Sequence, residues 1–224
     1  DRRGASTQAS ADDRKGVQAS STPQNFIIIF TDDQGYQDLG CFGSEDIKTP
    51  HIDRMASEGR MLTSFYSANP VCSASRAALM TGCYPRRVLD TRVVLFPKDN
   101  VGLHPGETTI ADMLKTKGYA TAGVGKWHLG AQSDNHPRSL GFDHFSGILG
   151  GSRSYFPVLE KPLSKSRLLE RDGERVPESS FSYFTDWITD EGVRLIQENT
   201  TAKPLFLMLS YTAPHTPMHA RPDL

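Results

Sequence analysis

Asn25-Phe26-Ile27-Ile28-Ile29-Phe30-Thr31-Asp32-Asp33-Gln34-Gly35 is the stretch that decides the fold class. Phe26 to Phe30 are all aromatic or β-branched and do not alternate with polar residues. A half-exposed strand alternates; a continuous apolar run suits a strand buried on both faces, as in a parallel sheet with helices on each side. The run ends abruptly in two carboxylates and a Gln-Gly pair, a polar exit of the kind found at strand ends. Residues 204–211 repeat the pattern as a second buried strand, and 60–66 and 119–124 read as two more. Helical segments lie between them. Thr49-Pro50 looks like an N-cap followed by proline in the first turn, with the helix running to Gly59 as its C′ glycine. Residues 73–81 are helix-like and stop at Gly82. Residues 108–117 put Ile110, Met113 and Leu114 on one face, with Gly118 after them. Phe184, Trp187, Ile188, Leu195 and Ile196 recur at helical spacing, which predicts a helix over 183–199. Strands alternating with helices predict an α/β fold with a mainly parallel sheet sandwiched by helices. Residues 131–180 are rich in Gly, Ser and charge without a period, and read as an excursion carrying at most a small hairpin.

Composition narrows the function. The 224 residues carry 25 basic and 26 acidic side chains, a formal net charge of -1. That balance argues against a nucleic-acid-coating or polybasic membrane-surface protein, although a local groove stays open. The longest apolar runs, 26–30 and 205–209, fall far below the ~18 residues of a membrane helix, so no integral membrane segment and no nucleic-acid partner are expected. Three cysteines are too few, and odd in number, for a disulfide scaffold; Cys41 and Cys83 pair only if geometry allows. Residues 1–24 are small and polar with no apolar signal stretch, and read as a disordered leader before an ordered domain over 25–224.

Ligands in open α/β sheets collect at the carboxyl ends of the strands. Four polar clusters follow the predicted strands there: Asp32-Asp33, Cys72 to Arg76, Lys126-Trp127-His128, and His215. Their convergence points to one site. Two hard carboxylates suit Ca²⁺ or Mg²⁺, but neighbours in an extended chain point to opposite faces, so a sharp bend is needed for both to reach one ion. Cys72 lies at or just before a predicted helix N-terminus, whose free N–H groups favour an anion, and Arg76 about one turn later adds fixed charge. Taken alone, each has a bland reading: a turn for the acids, a small buried hydrophobe for the cysteine, a solvated surface charge for Lys126. His51, His104, His136, His144 and His219 read as surface or structural.

The run Cys72-Ser73-Ala74-Ser75-Arg76-Ala77-Ala78-Leu79-Met80-Thr81-Gly82 resembles the signature of the type I sulfatases, Cys-x-Pro/Ala-x-Arg followed closely by Thr-Gly. Four further motifs of that family recur in the expected order. They are the strand with Asp32-Asp33, the Thr49-Pro50-His51-Ile52-Asp53 segment, Gly125-Lys126-Trp127-His128-Leu129-Gly130, and Pro214-His215. The resemblance implies an alkaline-phosphatase-like α/β fold and sulfate ester hydrolysis. It implies that Cys72 becomes Cα-formylglycine, made by a formylglycine-generating enzyme, whose hydrate attacks sulfur. Arg76 and Lys126 would hold the hydrate and the sulfate, His128 would act as base, His215 would assist the leaving group, and Asp32 and Asp33 would bind calcium. It implies a sulfated small molecule or carbohydrate as partner, and a periplasmic or secreted setting. Two other readings remain: a phosphonate monoester or phosphodiester hydrolase of the same superfamily, and a non-catalytic sulfated-glycan binder. Ala74 stands where proline is the commoner family residue, which leaves the maturation system open. The start at Asp1 and stop at Leu224 read as the ends of an N-terminal portion of a longer enzyme. Its remaining calcium ligands, a second Lys and a C-terminal subdomain would then lie outside the chain. As written, the chain is expected to bind calcium poorly and turn over little.

Overall fold

The sheet that organises the molecule has the strand order β1-β6-β2-β3-β4-β5. The computed structural model describes residues 23–89, 94–96, 99–160, 162–199 and 203–223. The expected leader therefore lies outside the described residues, except for its last two. Strands β1 (Phe26–Phe30), β2 (Ala120–Lys126), β3 (His144–Ile148) and β6 (Leu205–Ser210) run parallel. The two-residue strands β4 (Glu170–Arg171) and β5 (Glu174–Arg175) form an antiparallel hairpin beyond β3. The sheet is thus mixed and mostly parallel, the predicted class.

Helices cover both faces. On one side, α2 (Cys72–Thr81), α3 (Pro85–Val88) and α4 (Ile110–Thr116) bring Ala77, Met80, Val88, Ala111 and Leu114 against Phe145, Phe206 and Met208. On the other, α5 (Phe184–Glu198) lays Phe184, Trp187 and Ile188 on Ala122, Val124, Leu207 and Leu209. Each such side chain, fully buried, contributes about 1.5–3 kcal/mol. β6 is buried along its whole length and sits between β1 and β2, as its unbroken apolar run requires. The helix α1 (Pro50–Glu58) starts with Pro50 in its first turn, as expected. Thr49, however, does not cap it: its hydroxyl accepts from Gly40 N–H and donates to Asp53. Thr109 does cap α4, in a reciprocal box with Asp112. Gly82 ends α2 in the left-handed region, φ 67°, donating to the Ala78 carbonyl.

Four further expectations are corrected. β1 is a strand, but not one buried on both faces. Among the described residues it pairs with β6 alone, and Ile27 and Ile29 are 45% and 55% exposed, whereas α5 packs on β6 and β2. Residues 60–66 form no strand, and Leu62, Phe65 and Tyr66 are exposed; β-prone composition makes no strand without a ladder partner. Met113 lies half exposed, so the buried face of α4 is Ala111 and Leu114. Finally, the excursion over 131–180 contains a core strand, β3. Its polar Ser146 and its Gly147 hide the periodicity. Gly147 is needed there because a Cβ would collide with the Gly125 carbonyl of the neighbouring strand.

Buried Glu191 on α5 ties the hairpin to the sheet. It accepts from Ser146 of β3 at 2.9 Å, from Arg171 of β4 at 2.8 and 3.0 Å, and from Arg194 at 2.6 Å. Burial would raise its carboxyl; hydrogen bonding from His144, Arg194, Arg171 and Ser146 outweighs that and holds it well below the usual range. His144 also meets Asp172 at 2.6 Å, and His136 meets Glu170 at 2.6 Å, so both histidines are structural.

Gly147→Ala is expected to lower the unfolding free energy by more than about 2 kcal/mol, since backbone must move apart. Gly173→Ala at the hairpin turn, where φ is 91° and nothing stands within 4 Å of the new Cβ, should cost only about 1 kcal/mol. Urea denaturation of the two variants compares them; equal losses would remove the strand-contact explanation.

Candidate active site

The carboxyl ends of β1, β2 and β6 meet the first turns of α2, and four buried polar side chains close the junction. Arg76, fully buried on α2, donates through Nη2 to Asp32 Oδ1 at 3.2 Å and through Nη1 to the Lys126 carbonyl at 3.0 Å. The same Nη1 donates to Ser210 Oγ, which donates onward to the Lys126 carbonyl at 2.7 Å. Lys126 Nζ reaches the other oxygen of Asp32 at 2.6 Å. The Phe30 ring lies 5.2 Å beneath the guanidinium. Burial lowers the pKa of both cations, and Lys126 is lowered further by Arg76, while Asp32 pulls each back up.

Asp33 sits on the bend that the sequence demanded, with φ 61°. That turn lets its side chain line the same cleft as Asp32. The cleft holds about 330 Å³ and is walled by Asp32, Asp33, Gln34, Asn69, Cys72 and Arg76. Asp33 Oδ2 lies 3.6 Å from His215 Nε2, whose ring partner Nδ1 is 2.5 Å from the Thr216 carbonyl.

Cys72 opens α2 and also lines a second cleft of about 240 Å³ with His128, His215, Phe96, Ser152 and Arg167. Val71, the N-cap, caps no first-turn N–H through its side chain. The N–H groups of that turn have no intrahelical acceptor, so they are available to an anion. His128 also has positive φ, 60°, and its Nε2 sits 2.7 Å from the Leu95 carbonyl. A carbonyl only accepts, so Nε2 carries the proton and Nδ1 is an acceptor; Nδ1 is buried without a partner. Burial, and next the Lys126 charge, lower the imidazole to about 4, so the ring is neutral at pH 7.

All seven site residues read from the sequence thus line these two clefts or the ion cluster between them, and Cys72 belongs to both clefts. A wider cleft of about 700 Å³ between Val158, Leu163, Arg175 and Glu178 contains none of them. Ser210, Phe96 and Arg167 were not foreseen. Ser210 had a signal, the one hydroxyl ending an otherwise apolar buried strand; the other two lie in segments without a period. Cys41, Cys72 and Cys83 are all free, so the Cys41–Cys83 pairing left open is not formed. The acids fit part of a divalent-cation shell: two hard carboxylates face one cleft. Among the described residues, no three of His, Cys, Asp and Glu are placed to hold one metal ion, and Ca²⁺ takes ~6–8 oxygens.

A profile of the sulfatase family matches residues 24–224. The chain is 35% identical over 221 residues to N-acetylgalactosamine-6-sulfatase of Sus scrofa, covering 92% of this chain and 42% of that protein. It is 47% identical over 137 residues to steryl-sulfatase of Mus musculus, covering 56% of this chain and 22% of that protein. Among solved structures, Ps i-CgsB in complex with k-i-k-neocarrahexaose superposes with a TM-score of 0.83 at 36% identity, over 89% of this chain and 47% of that one. A protein solved with its substrate D-glucosamine-2-N,6-O-disulfate gives a TM-score of 0.72 at 29% identity, over 89% of this chain and 36% of that one. The chain spans less than half the length of each of these relatives.

The neutral, buried His128 has a thermodynamic consequence. Its native pKa of about 4 is below the unfolded value of 6.5. Above pH 6.5 neither state binds the proton, and the histidine has no effect on stability. Between pH 6.5 and 4 only the unfolded chain takes it up, so stability falls as pH falls, by up to about 3 kcal/mol. His128→Gln should flatten that part of the profile, read as urea midpoints at pH 7.5 and 5.0. An identical drop in both proteins would contradict the assignment.

Proposed function

The chain belongs to the sulfatase family, and we propose that it hydrolyses sulfate esters of carbohydrates through an aldehyde nucleophile made from Cys72. One observation carries the reading: Cys72 begins α2 where a cleft backed by buried cations meets a cleft lined by histidines. In the proposed chemistry a formylglycine-generating enzyme converts Cys72 to the aldehyde, which takes up water. One hydroxyl of the hydrate attacks the sulfate sulfur, and the alcohol departs as its bond to sulfur breaks. Arg76 and Lys126 hold the hydrate and a sulfate oxygen, with the first-turn N–H groups of α2 adding dipolar stabilisation. His215 gives a proton to the departing oxygen. His128, through its unpartnered Nδ1, takes the proton from the second hydroxyl as the sulfated intermediate collapses to aldehyde and free sulfate. Asp32 and Asp33 would hold Ca²⁺ or Mg²⁺, which when bound offsets negative charge on sulfate oxygen.

A carbohydrate leaving group is favoured by coverage. The match to N-acetylgalactosamine-6-sulfatase runs over 92% of the chain, that to steryl-sulfatase over 56%. The Ps i-CgsB complex and the disulfated-glucosamine complex point the same way.

The tests use protein purified from its native host. Mass spectrometry of the Cys72 peptide should find the aldehyde; an unconverted thiol supports the non-catalytic glycan-binding reading. An aryl sulfate should be hydrolysed faster than an aryl phosphonate; the reverse order supports the phosphonate hydrolase reading. Cys72→Ala should abolish turnover, and Lys126→Ala should lower kcat/KM by about 10²–10³-fold, the cost of one oxyanion-stabilising donor.

A further inference from the structure

The second cleft has features that the chemistry at sulfur does not use. Arg167 closes a short 3₁₀ turn over Lys165–Arg167, just before β4, and lines the cleft that also holds Cys72, His128 and His215. Its backbone N–H donates to Ser164 at 2.8 Å, but its guanidinium makes no hydrogen bond or ion pair with any described residue. Arginines elsewhere in the site and hairpin are engaged: Arg76 with Asp32, Arg171 and Arg194 with Glu191. Phe96 stands on the same cleft with 58% of its surface exposed. Its backbone is held, since Phe96 N–H donates to Asp99 at 2.7 Å and the Asp99 N–H donates back to the Phe96 carbonyl at 2.8 Å. An unpaired guanidinium and an exposed ring that line the same cleft as the reacting position form a recognition surface rather than a packing contact.

We propose that Arg167 and Phe96 form a subsite that selects saccharides bearing a second oxyanion, a sulfate or a carboxylate, beside the ester that is cleaved. This rests on the sulfatase reading of the site. With the sulfate head held by Arg76, Lys126 and the first turn of α2, the leaving sugar extends into the cleft lined by His215. Phe96 offers its face to the apolar C–H side of the ring. Arg167 presents a planar fork that matches an oxyanion with two parallel hydrogen bonds, geometry that a lysine ammonium cannot reproduce. The neutral residues around it, Ser152 and Ser166, leave that charge uncompensated until such a ligand arrives.

The test needs no turnover. Calorimetry on the unconverted protein measures Kd for three disaccharides: one with a single sulfate, one with a second sulfate, and one with a carboxylate on the adjacent sugar. The wild type should favour both dianionic ligands over the monosulfated one. Arg167→Ala should cut that preference about tenfold, the usual size of one charge-assisted contact, while weakening the monosulfated ligand less. Arg167→Lys should restore part of it, and added salt should shrink it. Loss on only one dianionic ligand identifies which oxyanion the subsite takes. An unchanged preference in Arg167→Ala, or a wild type with no preference, overturns the proposal. Failure to find the aldehyde at Cys72 overturns the hydrolase instead, and leaves a selective loss in these titrations intact.

Discussion

One buried carboxylate faces two buried cations. Asp32 receives Arg76 on one oxygen and Lys126 on the other, and all three side chains are buried. Taking each charge out of water costs several kcal/mol, and a single acid offsets only one of the two positive charges. Burial lowers the pKa of both cations, and at Lys126 the Arg76 charge lowers it further. The second acid of the cleft, Asp33, also acts on Arg76 but makes no direct contact with either cation. Asp32, Arg76 and Lys126 lie just after β1, on α2 and at the end of β2, so the interaction that prepares the pocket electrostatically also ties together the elements around it. Ser210 on β6 completes the set by accepting from Arg76 and donating to the Lys126 carbonyl.

Charge is handled differently at the far end of the sheet. Glu191 is a buried acid with a surplus of donors, from Arg171, Arg194, His144 and Ser146, and its carboxyl is held well down. Nothing is left for a ligand to satisfy. At the strand ends near α2, by contrast, His128 Nδ1 is an acceptor without a partner, and the first-turn N–H groups of α2 lack intrahelical acceptors. Buried polar atoms in native proteins are rarely left alone, and this orphan beside the ion cluster is the acceptor that the proposed chemistry assigns to proton transfer.

The parts of this arrangement legible in the sequence are those written in local pattern. β6 and α5 show because their apolar runs match their burial. The polar clusters at Asp32, Cys72, Lys126 and His215 show because each follows a strand or opens a helix. What was not legible depends on partners distant in sequence. Phe26–Phe30 reads as a buried strand, yet only the sheet order reveals that β1 has one neighbour. Residues 60–66 have strand composition and no ladder to join. β3 was hidden because Gly147 answers to Gly125 across the ladder, a constraint with no local period. Asp33 was recognised as needing a bend, but its approach to His215 emerges only when β1 and β6 lie side by side.

The position of Asp32 has a further consequence. It follows a strand laddered to β6, and the seam is prolonged by Tyr211 N–H to the Phe30 carbonyl and Asp32 N–H to the Ala213 carbonyl. Asp32 is thus held through its backbone by the sheet and through its side chain by Arg76 and Lys126. Any displacement of that strand end would separate two buried cations from their shared counter-ion, so the ion cluster acts as a latch between β1 and the helix that covers its end.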